Sequence, residues 1–133
     1  MPHAANRLIV EQMVSNGWFR NPQREADHSD NWWQVEDAQG RGALLYVVRT
    51  MADNERGAPK KIPNTPALPQ IAEVHKNSGW TAGPFIALAE VSDPGATPDI
   101  LSIRVWKLYA QHLSGAKRVP VEELGTPIFA WKI

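Results

Sequence analysis

The chain has 133 residues, 43% of them hydrophobic and 21% charged, which points to one soluble globular domain. There is no Cys, so disulfides, Cys-ligated zinc, iron–sulfur clusters and thiol catalysis are excluded. Fourteen Lys and Arg balance fourteen Asp and Glu, which sets the chain apart from nucleic-acid binders that are basic overall but leaves room for a local basic groove.

Residues 4 to 16 carry Ala5, Leu8, Ile9, Gln12 and Met13 on one stripe, the spacing of an amphipathic helix. Asn16-Gly17 is its stop, because both residues tolerate the left-handed conformation. Residues 19 to 31 are polar with one Pro and read as a loop. A hairpin follows: a strand over about 32 to 36, a turn over Asp37–Gly42, and a strand over about 43 to 50. Both faces of the second strand are apolar, which suits a central strand in a covered sheet. Arg49 and Thr50 mark where that strand emerges.

Residues 51 to 64 form a charged loop with Pro and Gly. Thr65 suits a helix N-cap and Pro66 the first helical position, with Leu68, Ile71, Ala72 and His75 at helical spacing after them. Asn77-Ser78-Gly79 ends this helix. Phe85–Val91 reads as a buried strand, Asp93-Pro94-Gly95 as a turn, and 100 to 109 as a strand. Val119–Leu124 suits a short helical turn and Ile128–Lys132 a last strand, whose position at an edge would allow pairing with a second copy, a homodimer. The sum is a single small α/β (α+β) domain with a mixed central sheet flanked by helices. The N-terminus has no basic-then-apolar signal pattern, and the longest apolar runs, Ala43–Val48 and Pro84–Ala89, are too short to span a bilayer. The reading is a cytoplasmic protein without membrane contact.

Several residues are candidates for a site. Neighbouring strand residues point to opposite faces, so one of Trp32 and Trp33 enters the core and the other faces away, free to stack on a base, a partner protein or a covering helix. Arg49 at the strand end, with Arg56, Lys60 and Lys61 in the next loop and Lys117 and Arg118 further on, offers a cationic patch for phosphate or an acidic surface. Asp27-His28-Ser29-Asp30 carries metal-capable side chains but reads as a solvated loop. His75 reads as a core or boundary histidine. No nucleophile elbow and no phosphate loop is present.

The order helix, strand, strand, helix, strand resembles the PD-(D/E)XK, or restriction-endonuclease-like, fold over about residues 32 to 91. The resemblance rests on the hairpin with its acidic-Gly turn, the central strand ending in a basic residue, and the helix leading into Phe85–Val91. It implies phosphodiester cleavage with one or two divalent metals, held by an Asp near the hairpin and a second acid two residues before a Lys. Here Val47 stands in the place of that acid, Val48 in the variable position and Arg49 in the place of the Lys. Val cannot ligate magnesium, and Arg does not readily give up a proton.

Three functions are therefore expected. The first is a non-catalytic nuclease-like binding module that contacts nucleic acid or a partner protein through Trp32 or Trp33, Arg49, Arg56, Lys60 and Lys61, without a metal site or cofactor. The second is a nuclease dependent on Mg²⁺ or Mn²⁺, with a rearranged site drawn from Asp30, Glu36, Asp37, Arg49, Glu73 and Glu90. The third is a small inhibitor or immunity-type protein that occludes a partner protein, for which Trp and Arg are suitable anchors.

Overall fold

Helix α1 (Ala4–Ser15) buries Ala5, Asn6, Ile9, Val10 and Met13, with Leu8 and Gln12 at the margin of that face. In the computed structural model, which describes residues 4–25, 28–51, 62–92 and 98–133, this helix lies on one face of a mixed sheet. The strands are β1 (Arg20–Arg24), β2 (Trp32–Glu36), β3 (Gly42–Met51), β4 (Ala82–Val91), β5 (Ile100–Lys107) and β6 (Phe129–Lys132). They lie side by side in chain order, and every pair is antiparallel except β3 and β4. The parallel pair is joined through helix α2 (Leu68–Ser78), which covers the opposite face. A short helix α3 (Ala110–Leu113) and a 3₁₀ turn (Val121–Leu124) complete the domain.

The two faces follow from period-two alternation. Trp33, Val35, Ala43, Leu45, Val47, Ala87, Ala89, Ile103 and Val105 face α1. Trp32, Leu44, Val48, Ile86, Leu88 and Trp106 face Leu68 and Ile71 of α2 and Val121 of the 3₁₀ turn. Both layers are built of buried apolar side chains, so β3 and β4 are apolar on both sides, as a covered central pair must be.

Three features depart from the sequence reading. Strand β1, with sequence RNPQR, lies inside the stretch expected to be a loop. It is an edge strand, exposed along most of its length and shifted in register between Arg20 and Gln23, so it needs no apolar alternation and tolerates Pro22. With it, three strands precede α2, and the two-strand order read from the sequence is incomplete. Helix α3 begins at Ala110, just past the stretch read as strand, where no helix was expected. Thr65 does not cap α2: the helix begins at Leu68, and the fully buried Thr65 hydroxyl accepts from the Val119 N–H at 3.1 Å. The turn at Asp93-Pro94-Gly95 lies outside the described residues. No described helix is long and apolar enough to cross a membrane.

Candidate cleft at the carboxyl ends of the parallel strands

In open α/β sheets, ligands gather beyond the carboxyl ends of parallel strands, where chain connections diverge. Here β3 and β4 end together, with Arg49 beside Ala89, Thr50 beside Glu90 and Met51 beside Val91. A cleft of about 310 Å³ opens at this point, lined by Asn31, Val48, Arg49, Thr50, Met51, Pro63 and Val91. Its walls are largely apolar, and among the described residues its one cation is Arg49.

Arg49 keeps the face of Val47, the α1 side, because no bulge interrupts β3 between them. Its guanidinium Nη1 is buried and has no hydrogen-bond partner among the described residues. A buried donor without an acceptor costs about 1–3 kcal/mol, so such a group calls for an explanation. The other polar residues of the cleft are engaged. Asn31 donates from Nδ2 to the Val47 carbonyl at 2.7 Å, its own carbonyl accepts the Val47 N–H at 2.8 Å, and its Oδ1 accepts from the Ser29 hydroxyl at 3.1 Å. These bonds clamp the start of β2 to β3 and fix the floor of the cleft. Thr50 also has a partner.

The far end of the chain pairs with the segment that carries Pro63. Thr65 N–H donates to the Val119 carbonyl at 2.7 Å, Asn64 bridges Pro120, and Val121 N–H donates to the Pro63 carbonyl at 3.0 Å. In this short antiparallel pairing Val121 stands opposite Pro63, so the exposed Lys117 and Arg118 lie beyond Val119, on the side of Pro66 and α2. Arg118 is close enough to Tyr46 for its charge to act on the phenol. Burial raises the Tyr46 pKa above the usual 10.0, Arg118 opposes this, and burial prevails. Arg56, Lys60 and Lys61 lie outside the described residues, as does Asp27.

The remaining candidates are dispersed. Trp32 and Trp33 do take opposite faces, but both are buried, at 5% and 2% exposure, because each face has its own helix. Trp32 packs edge-on against Tyr46, with ring centres 4.8 Å apart, and against His28. Trp33 donates from Nε1 to the Asp30 carbonyl at 2.7 Å and lies under the Arg7 guanidinium. An outward Trp free to stack on a base is therefore corrected: the residue facing away from α1 meets the second covering layer.

The acids do not converge either. Asp30 precedes β2, whereas Glu36 and Asp37 lie at its other end, about 13 Å away along a five-residue strand. Glu36 accepts from Asn21 Nδ2 at 2.8 Å. Asp37 organises the hairpin turn, accepting from the Gln39 and Arg41 N–H groups and from Arg41 Nε, each at 2.9 Å. Burial alone would raise its pKa, but these bonds and the Arg41 charge outweigh it and hold the carboxyl below the usual 3.8. Glu73 lines a separate cleft on α2 with Glu25 and His28. Glu90 lies on the α2 side of β4, 3.9 Å from Arg104, which also bonds Glu122 at 3.0 Å. Among the described residues, no three His, Asp or Glu side chains stand close enough to hold a metal. His75 is a tether: its Nε2 meets the Ala82 carbonyl at 2.8 Å, which requires the proton on that nitrogen.

Sequence reasoning missed Asn31, Met51, Pro63 and Val91 as cleft residues. The signal available was only that each borders a strand or a loop end. Comparison with protein-family models, curated proteins and solved structures found no match to this chain.

Proposed function

We propose that the protein is a non-catalytic contact module that binds nucleic acid, with Arg49 receiving one phosphate at the cleft. The observation that carries this reading is that Arg49, whose buried Nη1 has no partner among the described residues, is one of the residues lining an apolar-walled cleft. A guanidinium without an acceptor is matched by an anion that arrives from outside, and phosphate oxygens suit its planar fork. The nuclease-like scaffold is part of the same reading, and the substitution at its usual acid supports contact over cleavage. Val47 is fully buried against α1 and Val48 is 7% exposed on the other face, so neither position offers an oxygen ligand. The six residues of the rearranged metal set are spread over both ends of the hairpin, helix α2 and β4.

The test is fluorescence anisotropy on labelled DNA and RNA at low and high salt, paired with a gel assay for cleavage in Mg²⁺ and Mn²⁺. Binding that weakens with salt, without cleavage, is expected. Metal-dependent cleavage would overturn the contact-only reading. Absence of binding at low salt would overturn the nucleic-acid reading and turn attention to a partner protein presenting carboxylates.

A further inference from the structure

We infer that β6 pairs with β6 of a second copy of this chain, antiparallel about a twofold axis at Trp131, so that two six-stranded sheets continue as one. The two edges of the sheet are unlike. A sheet edge presents unpaired N–H and C=O groups and is usually blunted against pairing. The β1 edge is blunted: Pro22 has no N–H, the register shifts between Arg20 and Gln23, and both Arg20 and Arg24 are charged. The β6 edge is open. Its sequence FAWK has no Pro, and it pairs with β5 without a shift from Phe129 to Lys132. Among the described residues no strand lies beyond it. Next to it Ile133 is 80% exposed.

Hydrogen bonds on the inner side of β6 fix the register. Ile133 N–H donates to the Leu101 carbonyl at 3.0 Å, so the backbone groups of Phe129, Trp131 and Ile133 face β5, and by alternation those of Ala130 and Lys132 face outward. A pairing centred on Trp131 sets Ala130 of each copy opposite Lys132 of the other, and every outward N–H and C=O gains a partner. A pairing centred on Ala130 would set Lys132 opposite Ile128, whose N–H points inward to the Val105 carbonyl at 2.7 Å.

The side chains agree with the first register. Phe129 and Trp131 are half-buried against the α1 layer, and Ile133 shares their side by alternation. The pairing lays Ile133 of one copy against Phe129 of the other and brings the two Trp131 residues together in the closer, non-hydrogen-bonded kind of pair. On the opposite side Lys132 meets the small Ala130. Beyond Ala130, on β5, stands Arg104, which faces two carboxylates, Glu122 at 3.0 Å and Glu90 at 3.9 Å. That cluster carries net negative charge, and its Glu122 is 43% exposed, so Lys132 passes over Ala130 of the second copy to reach it. The twofold axis makes each contact twice and sets no like charges directly opposite. These matches are written in one sequence, which favours a second copy over an unrelated strand at this edge.

The experiment is analytical ultracentrifugation of the full chain, paired with amide hydrogen exchange by NMR at the lowest and highest concentrations. So short a contact belongs to the weak, transient class. The average mass is expected to rise from one chain towards two between about 1 μM and about 1 mM. Exchange at the Ala130 and Lys132 amides is expected to slow with that rise, and exchange at Trp131 to stay as it is. Ala130→Pro removes an outward N–H and no bond within the fold, a place where an edge strand tolerates Pro. It is expected to stay a single chain throughout, with an unchanged far-ultraviolet spectrum. Lys132→Glu sets a carboxylate beside Glu122 of the second copy and is expected to weaken association at least tenfold; it serves alone if Ala130→Pro fails to fold. A single-chain mass at the highest concentration would overturn the inference. So would a dimer that leaves exchange at Ala130 and Lys132 unchanged, or one that keeps its strength in Lys132→Glu. Growth beyond two chains would overturn the twofold pairing.

Discussion

Replacing Arg49 with Met separates what the residue does for the fold from what it does for binding. In the free protein its Nη1 is buried without an acceptor. Leaving a donor in that condition costs about 1–3 kcal/mol. Met keeps the unbranched stem that crosses the end of the sheet, fills irregular space and carries no donor to satisfy. The substitution therefore removes a penalty and should leave the packing against Ala89 and Val91 intact. We expect a gain of about 1 kcal/mol in unfolding free energy. With a urea dependence of roughly 2 kcal/mol per molar, the midpoint rises by about 0.5 M. The same variant loses affinity for nucleic acid. Urea unfolding followed by Trp fluorescence, beside anisotropy on the same preparation, reads both quantities. A stability loss of 1 kcal/mol or more would refute the reasoning, because it would mean that the folded protein already satisfies Arg49. A gain in stability with a loss of binding is the trade-off expected of a group held unsatisfied for a ligand.

Two further outcomes concern the hairpin. The Asp37 carboxyl is held below its usual value by the Arg41 and Gln39 donors, against the opposing effect of burial, so its contribution to stability is present above pH 3.8 and is lost as pH falls through the lowered folded value. Thermal melts of wild type and Asp37→Asn should differ at neutral pH and converge in strong acid; a difference that persists there would contradict the linkage. At Gly42 a Cβ would lie 2.7 Å from Cδ1 of Trp80, whose ring rests on the start of β3. Gly42→Ala should destabilise by about 1–3 kcal/mol through overpacking and alter the near-ultraviolet signal of Trp80; a neutral effect in urea unfolding would mean that the ring moves aside freely.

The parts of the fold written in local pattern were legible before any coordinates. The β2–β3 hairpin, α1, the strand ending at Val91 and the short turn at Val121 each carry their own periodicity or turn residues. Strand β1 was not legible, because an exposed edge strand has no buried face to print on its sequence. Thr65 and Pro66 imitate a helix start, but the Thr65 hydroxyl is committed to Val119, 54 residues away, and no local rule contains that partner. The Trp pair was half legible. Alternation places the two rings on opposite faces, yet whether the second face is open depends on α2 arriving from elsewhere. Arg49 was visible as the end of an apolar strand. Its lack of a partner was not, because an unsatisfied group is a property of everything around it.

Strand order that repeats chain order has a consequence for how the sheet assembles. The β2–β3 pairing closes across the five residues 37–41, whereas β3–β4 must wait for the thirty residues 52–81 to close. The extra entropy of that closure, by the logarithm of the two loop lengths, is about 1.6 kcal/mol, and it is recovered only when α2 docks through Leu68 and Ile71. The central pair, which holds the sheet together once formed, is thus the step on which folding speed turns. Deleting methyl groups at Ile71 should slow folding, and the same deletion under the late-arriving edge strand β6 should chiefly hasten unfolding.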